Sequence, residues 1–151
     1  MATLLIGGNG LIGTRLVEYL CEKGEQVISF SLHSPARKVS GCVYVQGDVT
    51  EYGTLNMTLK QYSIDRVIHN AGISHPKMFR DNPYKIYRTN VGGVLTSLEA
   101  ARNYGVERYI YISSGAVYGN VHYERVNEDT PLHSENPYGA TKVACEELVR
   151  N

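Results

Sequence analysis

The stretch Gly7-Gly8-Asn9-Gly10-Leu11-Ile12-Gly13 directly follows the apolar run Thr3–Ile6 and precedes apolar residues at helical spacing. Two glycine spacings coincide in it, GxxGxxG from Gly7 and GxGxxG from Gly8. A glycine turn between a strand and a helix lets the backbone approach a pyrophosphate at the helix N-terminus, where free N–H groups and the helix dipole favour negative charge. At the start of a βαβ unit, the motif predicts a dinucleotide site more strongly than a purely structural turn. The residues expected to contact the cofactor here are Gly7, Gly10, Leu11, Ile12 and Gly13.

Strand-like and helix-like segments alternate along the rest of the chain. The pattern predicts strands at Thr3–Ile6, Gln26–Ser31, Val43–Gln46, Asp65–His69 and Arg108–Ser113. The predicted helices are one from Leu11 that ends at Gly24, a weaker one over Thr54–Tyr62, one from Asn82-Pro83 to Gly105, and one from Asn136-Pro137 to Asn151. Such alternation implies a parallel sheet covered on both faces. The expected fold class is therefore α/β, a Rossmann-type doubly wound parallel sheet in three α/β/α layers.

Composition excludes several function classes. The 151 residues suffice for one domain, and 42% hydrophobic with 20% charged residues is typical of a soluble globular protein. Fifteen acidic and fifteen basic residues cancel, so no net field attracts nucleic acid or a membrane surface. No apolar run reaches the roughly 20 residues of a membrane span, and the N-terminus lacks signal-peptide features. We therefore expect a cytoplasmic protein.

The cysteines and histidines predict no metal site. Cys21, Cys42 and Cys145 lie far apart and form no CxxC pair, which indicates reduced thiols rather than a zinc site or a disulfide framework. Four histidines fall in predicted loops without metal-ligand spacing: His33, His75, His122 and His133. His69 ends a predicted buried strand, and we interpret it as a hydrogen-bonded structural residue.

The end of the second predicted strand indicates which dinucleotide is bound. An acidic residue about 20 residues after the glycine turn would bind the ribose 2′-hydroxyl of NAD. Ser31 stands there instead, and the cations Arg37 and Lys38 follow. The missing carboxylate and the nearby positive charge favour NADP slightly over NAD. The alternative is that Arg37 and Lys38 belong to a solvated loop.

Five further motifs follow in a characteristic order: Gly47-Asp48-Val49, His69-Asn70-Ala71-Gly72, Asn90 within Tyr87–Gly93, the serine segment Tyr111–Gly119, and Pro137–Lys142 with its YxxxK spacing. Together with the glycine turn, the set resembles the extended short-chain dehydrogenase/reductase family, the nucleotide-sugar epimerases and their relatives. The resemblance covers essentially the whole chain. One departure is Asn70-Ala71-Gly72, which looks more like the single-domain branch of that family than like its usual HxAA-like stretch.

The resemblance implies roles for the matched residues. Asp48 and Val49 would meet the adenine, and further cofactor contacts would come from Asn70, Ala71, Gly72, Asn90 and Ser113. The catalytic residues would be Ser114, Tyr138 and Lys142, and the last two would also contact the cofactor.

Elementary chemistry agrees with these catalytic roles. Tyr138 and Lys142 lie four residues apart and share one face of a helix. A tyrosine titrates near 10 in water, and a nearby ammonium together with an oxidised nicotinamide would lower its pKa toward a useful value. Ser114 would orient the same substrate oxygen. In the alternative interpretation, Ser113 and Ser114 are ordinary turn residues and Tyr138 is a packed aromatic.

The family resemblance also bears on the reaction. Gly115 and Ala116 follow the catalytic serine where dehydratases of the family carry Asp-Glu, which argues against water elimination. Asn127–Leu132 resembles a loop of bacterial sugar epimerases, so we favour an NAD(P)-dependent epimerase acting on a nucleotide-sugar. An NADPH-dependent ketosugar reductase and a non-catalytic dinucleotide-binding module remain alternatives.

The resemblance finally implies what surrounds this domain. Family members are about twice as long, so residues 1–151 would be the NAD(P)-binding Rossmann domain alone, with the sheet incomplete at its C-terminus and the substrate domain absent. The helix from Pro83 carries an apolar stripe that begins with Tyr84 and Tyr87. Family members dimerise through this helix and the one from Pro137, so a homodimer is expected.

Overall fold

The chain folds around one parallel sheet. The computed structural model describes residues 1–74, 81–120 and 125–151. Its five strands lie in the order β3-β2-β1-β4-β5, and every neighbouring pair is parallel. Their bounds are β1 Ala2–Ile6, β2 Gln26–Ser31, β3 Cys42–Gln46, β4 Arg66–His69 and β5 Arg108–Tyr111. This order and the flanking helices confirm the predicted Rossmann-type α/β class.

Helices follow β1, β3, β4 and β5 along the chain. They are α1 Leu11–Glu22, α2 Tyr52–Tyr62, α3 Pro83–Tyr87, α4 Gly93–Tyr104 and α5 Pro137–Arg150, with a π-helical turn at Arg88–Gly92 and a 3₁₀ turn at Gly115–Tyr118. The long helix predicted from Asn82 to Gly105 is thus interrupted by the π turn. The fifth strand ends two residues before the predicted Ser113, because Ser114 begins the 3₁₀ turn and accepts the N–H of Ala116 at 3.2 Å.

The core lies on both faces of the sheet. All five residues of β1 are buried, as expected for the central strand of the sheet. On one face, Leu4 and Ile6 join a cluster with residues of α2 and α4, such as Leu55 and Ala100. On the other face, Leu5 packs with Val17 and Leu20 of α1. Helices therefore cover both faces, which confirms the three-layer arrangement.

The π turn changes which residues of α3 are buried. Tyr84 and Tyr87, predicted to begin the apolar stripe, are exposed by 75% and 43%. Ile86 is fully buried instead, whereas Val94 and Ala101 of the stripe are buried as predicted. A π turn contains an extra residue compared with a regular helical turn, so the apolar face before it is rotated relative to the face after it.

The topology locates the crevice where a ligand would bind. In a parallel sheet, the carboxyl ends of all strands meet at one edge. The chain runs from β1 outward to β3, then returns past β1 to β4, so the strand order reverses between β1 and β4. Ligands of open α/β sheets bind outside the carboxyl ends of the strands at such a reversal. The residues that follow β1 and β4 are the glycine turn and Asn70-Ala71-Gly72.

Candidate active site

The glycine turn is packed too tightly for side chains at three of its positions. A Cβ at Gly8 would lie 2.3 Å from the hydroxyl oxygen of the buried Ser29. Gly7 has φ +84°, and a Cβ there would lie 2.7 Å from the backbone nitrogen of Ala71. A Cβ at Gly13 would overlap the carbonyl oxygen of Gly7. The turn therefore rests directly on the end of β4 and on the first turn of α1, and these glycines are required by the fold itself.

Gly10 differs, because it faces open space at the start of α1. It is the N-cap of the helix with an extended backbone, and among the described residues a Cβ there would meet only the carbonyl oxygen of Gly7, at 3.4 Å. Within the same residues no side chain caps this end, and the first turn of the helix carries no acidic residue. Leu11 is 91% and Ile12 55% exposed. A helix N-terminus with an open, uncapped approach suits a pyrophosphate, so the residues present fit a dinucleotide.

Asn9 ties the glycine turn to the end of β2. Its side-chain oxygen accepts the Ser29 hydroxyl at 2.7 Å, and its amide donates to the carbonyl of His33 at 2.6 Å. Its backbone N–H donates to the Ser31 hydroxyl at 3.1 Å. Ser31 therefore lies beside the glycine turn, as its predicted role requires, and its hydroxyl oxygen already accepts one hydrogen bond.

Arg37 is directed away from the end of β2. Its guanidinium forms an ion pair with Glu18 of α1, which also pairs with Arg15 at 2.8 Å. These two cations lower the pKa of the Glu18 carboxyl, with the Arg15 hydrogen bond as the largest cause. The structure thus does not bring Arg37 together with Ser31, and the expected preference for NADP gains no support from its position.

Asp48 and Val49 follow β3 at the same edge of the sheet. One carboxylate oxygen of Asp48 accepts the backbone N–H and the hydroxyl of Thr50, at 2.9 and 2.8 Å. Val49 is buried, and a Cβ at Gly93 would lie 2.7 Å from its Cγ1. Asp48 thus holds the turn that leads into α2, and Val49 packs against the start of α4.

Asn70-Ala71-Gly72 continues β4 beside the glycine turn. The N–H of Asn70 donates to the carbonyl of Ile6 at 2.8 Å, and its amide donates to the carbonyl of Gly7 at 3.4 Å. Gly72 faces the side chain of Asn90, whose oxygen would lie 3.4 Å from a Cβ at that glycine. The structure therefore brings this segment together with the glycine turn and with Asn90.

Asn90 braces the loop after β4 against α5. It lies in the π turn and is 2% exposed. Its side chain accepts the N–H of Ile73 at 2.7 Å and donates to the carbonyl of Ile73 and to the Thr141 hydroxyl, both at 3.1 Å. Because these contacts use the amide oxygen and both amide hydrogens, the structure shows Asn90 as a brace behind the site.

Lys142 is the buried cation of the site. It is 5% exposed, and its Nζ donates to the carbonyl of Ile112 at 2.7 Å. The ammonium lies 4.6 Å from the ring centroid of Tyr111 and 5.7 Å from that of Tyr138. Burial lowers the pKa of Lys142. Tyr138 and Lys142 therefore lie together at the end of β5, as predicted from their spacing.

The serines after β5 have different partners. Ser114 begins the 3₁₀ turn, which packs on the start of α5, where Asn136 caps the helix by accepting the N–H of Gly139 at 2.9 Å. A Cβ at Gly139 would overlap the carbonyl oxygen of Ala116, so α5 and the 3₁₀ turn lie very close together. Ser113 donates its hydroxyl to the carboxylate of Glu146.

His69 lies behind the site in a buried polar cluster. Its Nδ1 is 2.9 Å from the Ser97 hydroxyl and 2.8 Å from the Tyr109 hydroxyl. Burial, and to a lesser extent the charge of Lys142, lowers the pKa of His69 to about 3. A neutral, hydrogen-bonded histidine in this position is consistent with the predicted structural role.

Metal ligands are not clustered in the part of the chain that the structure describes. Within residues 1–74, 81–120 and 125–151, no group of three or more His, Cys, Asp or Glu side chains could hold a metal ion. His75 and His122, predicted to lie in loops, fall outside the described residues. Within the same residues, no helix has the length and apolar character needed to cross a membrane.

Sequence reasoning missed three residues that organise the site. Asn9 occupies a variable position of the glycine motif, and nothing in its spacing indicated its contacts. Thr141 lies inside the YxxxK motif, and its hydroxyl oxygen accepts a hydrogen bond from the side-chain amide of Asn90. Glu146 follows Lys142 by four residues, and this spacing on one helix face was a signal that could have found it.

The family model described as NAD dependent epimerase/dehydratase family matches residues 3–151. The chain belongs to this family. The match spans the glycine turn, the serine segment and YxxxK, and it confirms the resemblance on which the residue roles were predicted.

Curated relatives of the chain are UDP-glucose 4-epimerases. The enzyme of Lacticaseibacillus casei is 32% identical over 152 residues, which cover 99% of this chain and 46% of the relative. The enzyme of Lactobacillus helveticus is 34% identical with the same coverage of both chains. The chain thus spans about half the length of the curated relatives it matches.

A solved relative has the same fold and carries a dinucleotide. The UDP-glucose 4-epimerase of Thermus thermophilus, in complex with NAD, superposes with a TM-score of 0.93 at 31% identity, covering 99% of this chain and 50% of that one. NAD rather than NADP is the cofactor of this relative, so the predicted lean toward NADP is not supported.

Proposed function

We propose that this chain forms the NAD-binding part of an epimerase that acts on a nucleotide-sugar. The observation that carries the proposal is the buried ammonium of Lys142, four residues after Tyr138 and anchored on the strand end that precedes Ser114. A buried cation beside a tyrosine ring at the carboxyl edge of the sheet suits a tyrosine that exchanges protons. The glycine turn lies at the same edge.

The predicted cofactor residues divide by the part of NAD they would hold. The open N-terminus of α1, with Gly10, Leu11 and Ile12, would bind the pyrophosphate through backbone N–H groups. Ser31 would lie at the adenosine ribose, and Asp48 with Val49 at the adenine. Residues Asn70 to Gly72 would line the crevice, with Asn90 behind them. A bound nicotinamide would supply the hydride chemistry: its oxidised form accepts a hydride and its reduced form donates one.

Tyr138, Ser114 and Lys142 would divide the remaining chemistry. Tyr138 would take the proton from a sugar hydroxyl as the carbon beneath it is oxidised, and would return it after the ketosugar has turned over. Ser114 would hold the same oxygen in place by a hydrogen bond. Lys142 would favour the ionised form of Tyr138 and would hold the nicotinamide ribose.

The substrate and the assembly are inferred from relatives and from the surface. The UDP-glucose 4-epimerase of Bifidobacterium longum, in complex with NAD+ and UDP, superposes with a TM-score of 0.92 at 29% identity, covering 99% of this chain and 48% of that one. We infer a uridine nucleotide-sugar as the substrate class. The exposed rings of Tyr84 and Tyr87 on α3 agree with the proposed homodimer through α3, α4 and α5.

Turnover of UDP-glucose by wild type and by Tyr138→Phe tests the proposal. The 4-epimer is measured in the presence of NAD, together with the affinity for NAD. We expect Tyr138→Phe to reduce turnover by roughly 10²- to 10⁴-fold, because a general acid–base group is lost, and to retain the NAD affinity. Tyr19→Phe, at an exposed ring of α1 outside the proposed dimer helices, should keep the wild-type rate.

Other results would contradict the proposal in distinct ways. Equal turnover by wild type and Tyr138→Phe would remove Tyr138 from the chemistry. Stoichiometric consumption of NADPH with a ketosugar, and no epimer, would show a reductase. NAD binding by the wild type without any turnover would favour the alternative that the chain is a non-catalytic dinucleotide-binding module.

A further inference from the structure

Glu146 lies one helical turn beyond Lys142, on the face of α5 that carries Tyr138 and Lys142. Its carboxylate accepts the hydroxyl of Ser113. The side chain is half-buried and lines a cavity of about 320 Å³ together with Tyr111, Ser113, Val149 and Arg150. The predicted catalytic set did not include Glu146.

The contact with Ser113 connects Glu146 to both neighbours of that serine. The carbonyl of Ile112, one residue earlier, receives the Lys142 ammonium at 2.7 Å. Ser114, one residue later, carries the hydroxyl assigned to the substrate oxygen. A hydrogen bond from Ser113 to a carboxylate on α5 therefore fixes the backbone segment on which the other two contacts depend.

Glu146 also contributes negative charge next to a buried cation. The titratable groups around Lys142 are Tyr111 of β5, His69 of β4, and Tyr138, Cys145 and Glu146 of α5. Burial lowers the pKa of Lys142, while the charges of Cys145 and Glu146 act in the opposite direction. Burial also raises the pKa of the Cys145 thiol, so Cys145 is uncharged at neutral pH.

We propose that Glu146 is a positioning residue of this site, which holds the Ile112–Ser114 segment through Ser113 and places a carboxylate one helical turn from the Lys142 side chain. The inference rests on the proposed function for its catalytic consequence. The contacts of Glu146 with Ser113 and its charge beside Lys142 are independent of that function, and they can be tested without turnover.

The direct test is the titration of Lys142 in the intact chain, followed by NMR of ¹³C-labelled lysine. The Lys142 signal is assigned by its loss in Lys142→Arg. Glu146→Gln keeps an oxygen that can accept the Ser113 hydroxyl but removes the charge, so the midpoint of Lys142 should move to lower pH. Glu147→Gln is the matched control, because Glu147 pairs with Arg150 at the exposed side of the helix and its loss should leave the midpoint unchanged.

An unchanged Lys142 midpoint in Glu146→Gln, or an equal shift in Glu147→Gln, would overturn the proposal. If Glu146→Gln does not fold, Ser113→Ala decides, because it removes the hydrogen bond to Glu146 and leaves the carboxylate in place.

Ser113→Ala separates positioning from charge. It removes the hydrogen bond and keeps the carboxylate, so Lys142 should titrate as in wild type while turnover falls by roughly tenfold, the effect of one lost charge-assisted hydrogen bond. A wild-type rate in Ser113→Ala would contradict the positioning role. If the wild type has no turnover, the proposed function fails, and the Lys142 titration still decides the role of Glu146.

Discussion

The turn between β1 and α1 and the junction between β5 and α5 lie at the same edge of the sheet but are built differently. At the first, close packing excludes side chains at Gly7 and Gly13, and backbone groups form the surface. At the second, the surface depends on buried polar side chains, above all Lys142 and the brace Asn90. The first region therefore depends on the absence of side chains, whereas the second depends on particular buried polar side chains.

This difference decides how each region responds to substitution. In the glycine turn, the effect of a new side chain depends on whether it meets the protein or open space. In the β5–α5 junction, removal of a side chain leaves buried partners without hydrogen bonds, which costs free energy whether or not a ligand is bound. Substitutions in the two regions test this distinction, and substitutions of His69 and Arg37 test the elements beside them.

Asn90→Ala should have the largest effect on stability. It removes hydrogen bonds to both backbone groups of Ile73 and to Thr141 at a position that is 2% exposed. We expect the free energy of unfolding to fall by about 3 kcal/mol, since buried groups lose their partners. Urea unfolding measures it. Asn103→Ala, at an exposed asparagine of α4, should change it by less than about 0.5 kcal/mol, and equal losses in both variants would contradict the role of Asn90 as a brace.

Serine substitution at two glycines should distinguish a position packed against the protein from a position that faces open space. Gly13→Ser places a Cβ against the carbonyl oxygen of Gly7 and should destabilise the chain by roughly 1–3 kcal/mol. Gly10→Ser has room, and serine is a good N-cap, so stability should be retained. Thermal unfolding measures both. The opposite order of the two stabilities would show that the turn is packed differently.

His69 predicts a pH dependence of stability. Its folded-state pKa of about 3 lies below the ordinary value of 6.5, so the unfolded chain binds one more proton between these limits. Stability should therefore fall as the pH falls from 6.5 toward 3, with a slope from this residue of about 1.4 kcal/mol per pH unit. His69→Asn should have a shallower slope than wild type between pH 7 and 4, whereas His33→Asn, at an exposed position, should keep it. Equal slopes in wild type and His69→Asn would rule out a buried neutral histidine.

Arg37→Ala should have the smallest effect. The Arg37 guanidinium is 75% exposed and pairs with Glu18, so it is not available at the end of β2. The ratio of NAD to NADP affinity should change by less than about threefold, as for loss of an exposed ion pair. A large drop in NADP affinity alone would instead restore the expectation that Arg37 meets a 2′-phosphate.

The fold was predictable because its signals are local. Apolar runs ended by glycine, the Asn82-Pro83 and Asn136-Pro137 caps, and the glycine turn each depend on a few adjacent residues. The π turn at Arg88–Gly92 was not predicted. Gly92-Gly93 stands at its end, but a glycine pair in a helical pattern does not distinguish a π turn from a regular helical turn. The consequence of the π turn, the exposure of Tyr84 and Tyr87, was missed for the same reason.

The placement of the candidate residues was predictable where their spacing lies within one helix, and not where a contact joins elements that are distant in the chain. Tyr138 and Lys142 come together because YxxxK spaces them on one helix face. The pair of Arg37 with Glu18 and the bond of Ser113 with Glu146 join elements that are distant in the chain. The cations that follow Ser31 in the sequence favoured NADP as the cofactor. Only the structure shows that the Arg37 side chain is directed toward Glu18.

Calorimetry of NAD binding to wild type and to Gly10→Asp tests whether the open N-terminus of α1 holds the dinucleotide. Aspartate is a favourable N-cap, so the variant should fold at least as well as wild type, while its carboxylate occupies and repels the place of the pyrophosphate. We expect wild type to bind NAD and the folded variant not to bind it. Equal binding by both chains would contradict the claim that the open N-terminus of α1 holds the dinucleotide.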